Sequence, residues 1–131
     1  MRTFSPPSAR AAGSAASTKP AHFALYSGLD SRPADLRVKK IHYSAFIQGS
    51  STLDADLRAR GIGAVLIAGT ATNVCCESTG RDGAMLDYRV VMVSDANAAA
   101  SDVEHRTTLD MFVTFFGDVM TVDEVIERLR V

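Results

Sequence analysis

The sequence predicts an α/β fold built on a parallel sheet, and three observations point to it. Two apolar runs of strand length, Gly63–Gly69 and Arg89–Ser94, lack the in-out alternation of half-exposed strands. Parallel strands covered on both faces read this way. Each run is followed by a longer segment with helical spacing of its apolar residues. Two such segments open on capping-box spacing, Ser101 with Glu104 and Thr121 with Glu124, where a hydroxyl and a carboxylate satisfy free N–H groups at a helix start.

Taken in order, the regular pattern begins near Leu36. Val38 to Ile41 has the composition of a short strand, followed by a loop through Tyr43-Ser44-Ala45-Phe46. Ser51-Thr52 then opens a helix with Leu53 and Leu57 one turn apart, and Gly61 ends it as the residue after the cap. After the Gly63–Gly69 strand, Thr72 or Asn73 is expected to cap a helix running to about Leu86. The Arg89–Ser94 strand leads into a helix whose apolar positions are Val103, Leu109, Phe112, Val113 and Phe116, stopped by Gly117. Asp118-Val119-Met120 is a brief third strand, and Val125, Ile126 and Leu129 mark the last helix. The alternation β-α-β-α-β-α calls for crossover connections and a parallel sheet.

At 131 residues the chain has the length of one domain, and 47% apolar with 22% charged residues is the balance of a soluble globular protein. A net charge of −1 gives no electrostatic case for nucleic acid or an anionic membrane as partner. No apolar run approaches the roughly 18 residues of a membrane span. Cys75 and Cys76 are adjacent, which rules out a disulfide framework and fits a reducing, cytoplasmic setting. His22, His42 and His105 are scattered, without metal-ligand spacing.

The start of the chain differs from the rest. Twelve of the first 20 residues are Ala, Ser or Pro, too little apolar surface to offset the entropy of ordering. Residues 1–22 are therefore expected to be a disordered segment ahead of a domain over 23–131. The basic, acid-free, Ser-rich character also suits an organelle transit peptide, but a linker is the simpler reading.

Chemistry in an open parallel sheet gathers at the carboxyl ends of the strands. Gly69-Thr70-Ala71-Thr72-Asn73-Val74-Cys75-Cys76 occupies that place, leaving a strand and setting Cys75 in the first turn of a helix. Backbone N–H groups there favour an anion, so they stabilise a thiolate and can hold the oxyanion of a tetrahedral intermediate. Against this stands the ordinary use of free cysteine as a small buried hydrophobe, the better reading for Cys76. Lys40, at the end of its expected strand, could face a cysteine after a neighbouring strand, stabilise its thiolate or move a proton; most lysines are simply solvated. His105 fits a structural hydrogen bond in the first turn of its helix, and Asp95 a turn or cap.

These pieces together resemble the isochorismatase-like hydrolases: Lys40-Ile41-His42-Tyr43-Ser44-Ala45-Phe46, Gly69 to Cys75, Glu77-Ser78-Thr79-Gly80-Arg81-Asp82, Val93-Ser94-Asp95-Ala96, Glu104-His105, and Phe116-Gly117-Asp118-Val119. Their order and spacing match over about residues 25–131. The resemblance implies a three-layer α/β/α domain and a Cys-Lys-Asp triad cleaving amide or ureido C–N bonds in small molecules. By it Cys75 is the nucleophile, Lys40 the triad lysine, and the N–H groups of Ala71 and Cys75 the oxyanion hole, next to a cis peptide before Ala71. Isochorismatase itself lacks this cysteine, so its presence points to the amidohydrolase branch, with nicotinamidases, carbamoylsarcosine amidases and ureidoacrylate hydrolases undistinguished. No cofactor or metal is implied, and a homo-oligomer is compatible.

Departures from the family pattern are equally specific. The triad aspartate ends the family's first strand, yet only Asp30 and Asp35 precede Lys40, neither at the family's separation. In the family's strand order 3-2-1-4-5-6, strands 1 and 2 lack a counterpart here, so the Gly63–Gly69 strand is expected to expose an apolar edge. The alternative function is thus an inactive truncated homologue or binding scaffold lacking the triad aspartate. Gly80 and Gly83, where many relatives have alanine, are each expected to weaken their helix by about 1 kcal/mol.

Overall fold

The computed structural model describes residues 24–130, so the expected disordered segment over 1–22 lies outside the described residues. The chain divides into two units, Met1–Leu36 and Arg37–Val131. The described part of the first is a pair of tight turns. Leu29 N–H donates to Tyr26 C=O at 3.1 Å and Asp35 N–H to Arg32 C=O at 3.1 Å. Asp35 accepts back from Arg32 N–H at 2.8 Å, and Asp30 pairs with Arg32 at 3.4 Å with both side chains largely exposed.

The second unit holds the regular elements: α1 (Leu53–Ala59), β1 (Ala64–Thr70), α2 (Glu77–Met85), β2 (Arg89–Ala98), α3 (Asp102–Phe115), β3 (Asp118–Met120) and α4 (Val122–Leu129). A π-helical turn, Thr72–Cys76, joins β1 to α2. The strands form a parallel sheet in the order β1-β2-β3. This is the α/β fold that the apolar runs predict, with β2 reaching four residues beyond the expected Ser94, to Ala98.

Local chemistry accounts for most boundaries. Gly61 adopts a φ of 66°, the left-handed conformation that closes α1 at low cost. Ser101 Oγ accepts from Glu104 N–H at 3.3 Å. At α4 the capping box is complete: Thr121 Oγ1 accepts from Glu124 N–H, and Glu124 accepts from Thr121 N–H at 2.7 Å. Asp95, from within β2, accepts from Val122 N–H at 2.8 Å, so it serves the start of α4 as a capping group.

The main core gathers Phe46, Leu57, Ile67, Cys76, Tyr88, Val90, Met92, Leu109 and Phe112. Val90 and Met92 lie on one face of β2, whereas Val93, out of phase with them, is buried outside that cluster, as is Val125 of α4. Alternate residues of a strand face opposite ways, so helices cover β2 on both faces.

Four expectations need correction. Val38–Ile41 is not a strand: among the described residues no neighbouring strand lies beside it to complete a ladder, and it runs as irregular chain with a bend at Ile41. The helix after β1 is entered through Ala71, extended at φ −94° and ψ 143°, rather than through a Thr72 or Asn73 side-chain cap. Val103 and Val113 are 75% and 53% exposed, so α3 buries a narrower stripe than its composition suggests. β1 is also not buried on both faces as its apolar run suggests: only Ile67 is buried and Leu66 is 52% exposed, in line with the exposed edge expected of it, β2 being its sole strand neighbour among the described residues.

Gly80 and Gly83 are not the weak points that helix propensity suggests. A Cβ on Gly80 would lie 2.6 Å from Phe112 Cε2, and one on Gly83 would lie 3.0 Å from Phe46 Cε2 and 3.3 Å from Val90 Cγ2. The missing methyls let α2 sit close to α3 and the sheet. Gly80→Ala is therefore expected to destabilise the chain by about 1–3 kcal/mol through overpacking, where propensity alone would stabilise by about 1 kcal/mol; urea melts give the sign.

Tyr88 joins α1 to the sheet. Its hydroxyl donates to Asp54 Oδ1 at 2.8 Å, its ring meets Phe46 with centroids 5.1 Å apart, and the Arg58 guanidinium lies 5.2 Å from its centre. Burial first, then the bond and charge of Asp54, push the Tyr88 pKa up, against a smaller downward pull from Arg58. A raised folded value means this contribution is full below the ordinary tyrosine range near about 10 and is lost as pH rises through the folded value. Alkaline melts should show that loss in the native sequence and its absence in Tyr88→Phe.

Candidate active site

The site forms where β1 ends. Gly69 has a φ of 142°, a conformation few residues besides glycine adopt, and the Thr70–Ala71 peptide that follows is cis. The chain then winds through the π-helical turn, in which Val74 and Cys76 N–H both donate to Ala71 C=O at 3.1 and 3.2 Å. Cys75 is half-buried and Cys76 is buried. A cavity of about 370 Å³ runs beside β1, and its walls include Cys75, Cys76, Thr70, Thr79, Lys40 and Phe46. The structure thus brings Cys75 and Lys40 to one cavity. Among the described residues no carboxylate lines the cavity.

The two cysteines differ in environment. Cys76 is 5% exposed with its sulfur over Gly69, where an added Cβ would lie 3.7 Å away. Burial chiefly, then the neighbouring Cys75, raise its pKa, while the charge of Lys40 lowers it in part. It therefore stays a neutral core thiol.

Lys40 reaches the cavity without a strand beneath it. Its ammonium donates to the carbonyls of His42 and Tyr43 at 2.9 and 3.2 Å. The segment that follows is bonded to itself: Ser50 Oγ donates to Ser44 C=O, Ser51 Oγ to Ala45 C=O at 2.7 Å, and Ser44 Oγ accepts from Phe46 N–H at 3.1 Å. Phe46 anchors it in the core.

Three residues frame the turn that were not among the expected site residues. Thr72, fully buried, pairs through Oγ1 with His105 Nδ1 at 2.9 Å, so His105 has the structural bond expected of it and links α3 to the cysteine turn. Asn97 sits where the ladder slips, β1 passing from Ile67 to Gly69 while β2 passes from Met92 to Asn97. Its Nδ2 donates to Ile67 and Val93 C=O at 2.8 and 2.6 Å, replacing lost ladder bonds. Thr79 donates to Cys75 C=O at 2.7 Å and accepts from Ala45 N–H at 3.1 Å. Thr79 falls within the quoted Glu77–Asp82 motif, but only the fold reveals what it touches.

Comparison with known proteins agrees with this architecture. The Isochorismatase domain model matches residues 1–124, and the chain belongs to that family. The ureidoacrylate amidohydrolase RutB of Caulobacter vibrioides is 44% identical over 100 residues, 76% of this chain and 44% of the relative. A cysteine hydrolase structure from Pseudomonas syringae pv. phaseolicola 1448A superposes with a TM-score of 0.76 at 39% identity, over 82% of this chain and 55% of that one. An isochorismatase-like hydrolase from Alkaliphilus metalliredigens gives 0.75 at 31%, over 81% and 57%. The chain spans less than half the length of the curated relative, and little more than half of each solved structure.

Two measurements follow from the site's geometry. A thiol-specific reagent should modify Cys75 in the native chain and reach Cys76 only on unfolding, as peptide mapping by mass spectrometry would show. Thr72→Val should lower stability by about 1 kcal/mol through loss of the hydroxyl–imidazole bond, measured by thermal or urea unfolding.

Proposed function

We propose that this chain is a cysteine hydrolase of the isochorismatase-like family that cleaves an amide or ureido C–N bond in a small molecule, with Cys75 as nucleophile. The observation that carries the reading is that Cys75 and Lys40 line one cavity at the carboxyl end of β1. A relative named for ureidoacrylate amide hydrolysis supports the bond type.

In this mechanism the Cys75 thiolate attacks the carbonyl carbon, forming a C–S bond and moving the C=O electron pair onto oxygen. The N–H groups of Ala71 and Cys75 hold that oxyanion. Collapse breaks the C–N bond, and the nitrogen leaves with a proton. Water then attacks the thioester, releasing the acid and restoring the thiol. Lys40 supports the thiolate by its charge and assists proton transfer to the leaving nitrogen.

Release of ammonia or amine from a panel of small amides and ureido compounds tests the reading. Cys75→Ala should fall to the blank rate, and Lys40→Ala should lose about 10²-fold in kcat. Equal rates for the native chain and Cys75→Ala would sink it. A second reading, a homologue that binds without turnover, is favoured by a cavity that no carboxylate lines among the described residues. Saturable binding of the same amides, with no thiol-dependent product, is its signature.

A further inference from the structure

We infer that Thr79 is a positioning residue that couples Lys40 to Cys75 through a single hydroxyl. This rests on the proposed roles of those two residues. Lys40 lies on irregular chain without a strand ladder, so its ammonium is placed by the backbone it grips, the carbonyls of His42 and Tyr43. The serine bonds from 44 to 51 hold that loop's shape but join it only to itself. Phe46 packs the loop against α2 beside Gly83, but its hydrogen-bonded attachment to the cysteine helix runs through Thr79, whose Oγ1 accepts the Ala45 N–H at 3.1 Å.

The same Oγ1 gives its one proton to Cys75 C=O at 2.7 Å, the shorter of its two carbonyl contacts, with Tyr43 C=O at 3.5 Å. Donation from a helical threonine to the carbonyl one turn back is common and by itself structural. Acceptance of an N–H from 34 residues earlier is not local, and it makes the hydroxyl a bridge. A hydroxyl can serve as donor and acceptor at once, so removing it frees both sides together. No strand ladder holds the Lys40 side, and both side-chain hydrogen bonds between residues 42–46 and α2 among the described residues run through Thr79.

The test uses Thr79→Val, which keeps the shape and removes the hydroxyl, and Thr79→Ser, which keeps the hydroxyl. One readout is the rate of Cys75 alkylation by iodoacetamide at neutral pH, which needs no turnover; the other is kcat and KM on the amide panel. Thr79→Val should slow alkylation by a few-fold, because the ammonium no longer supports the thiolate. It should lower kcat by about tenfold with KM little changed, and Thr79→Ser should recover most of both. In a Lys40→Ala background, Thr79→Val should add nothing further. An unchanged alkylation rate in Thr79→Val, or the same loss with and without Lys40, overturns the coupling. Should Thr79→Val fail to fold, Thr79→Ala makes the same comparison. If alkylation follows the expected pattern while the native chain turns over no amide, the coupling stands and the hydrolase reading falls.

Discussion

The seating of α2 constrains the rest of the structure. Gly80 presents bare backbone to Phe112 at a separation where a methyl would not fit, and Gly83 to Phe46 and Val90 where one would be tight. That contact sets how far the helix stands from the sheet, and the cysteine turn is the first thing the helix carries. It also brings Thr79, on the same turn as Gly80, within reach of the loop that follows Lys40. The apolar contact and the polar bridge are adjacent on one short helix, so core packing and site geometry are not separable there.

Around that helix the polar groups act as fasteners between elements rather than within them. His105 holds α3 to the cysteine turn, Asn97 spans the slip between β1 and β2, and Asp95 ties β2 to α4. Each makes a hydrogen bond that crosses from one element to another; Asn97 is buried and His105 half-buried, where an unmade bond is costly, while Asp95 is exposed. The cavity beside Cys75 is lined by β1, the cysteine turn with the start of α2, α1 and the loop after Lys40, and Leu66 on it is 52% exposed.

What could be read from the sequence follows the range of the interactions involved. Ser101 with Glu104, Thr121 with Glu124, and Gly61 work within a few residues, so spacing alone located those helix ends. The strands of the sheet were legible as apolar runs, and Cys75 as the residue following one of them. Val38–Ile41 was misread because strand formation depends on a neighbour that no local pattern supplies. The glycines of α2 were misjudged for the same reason: intrinsic propensity is local, while Phe112 is a distant residue brought close by folding. Thr79, Thr72 and Asn97 carry no spacing signal at all, since a hydroxyl or amide becomes informative only once its partner is known.

The order of the strands has a consequence for how such a sheet comes into being. β1, β2 and β3 are neighbours in space in the same succession as in the chain. Each new strand can dock on the one made just before it, with only a single helix to wind in between, so no long loop has to close first. Among the described residues the other edge of β1 has no strand partner, and an open edge of that kind is where a strand-forming polypeptide can add.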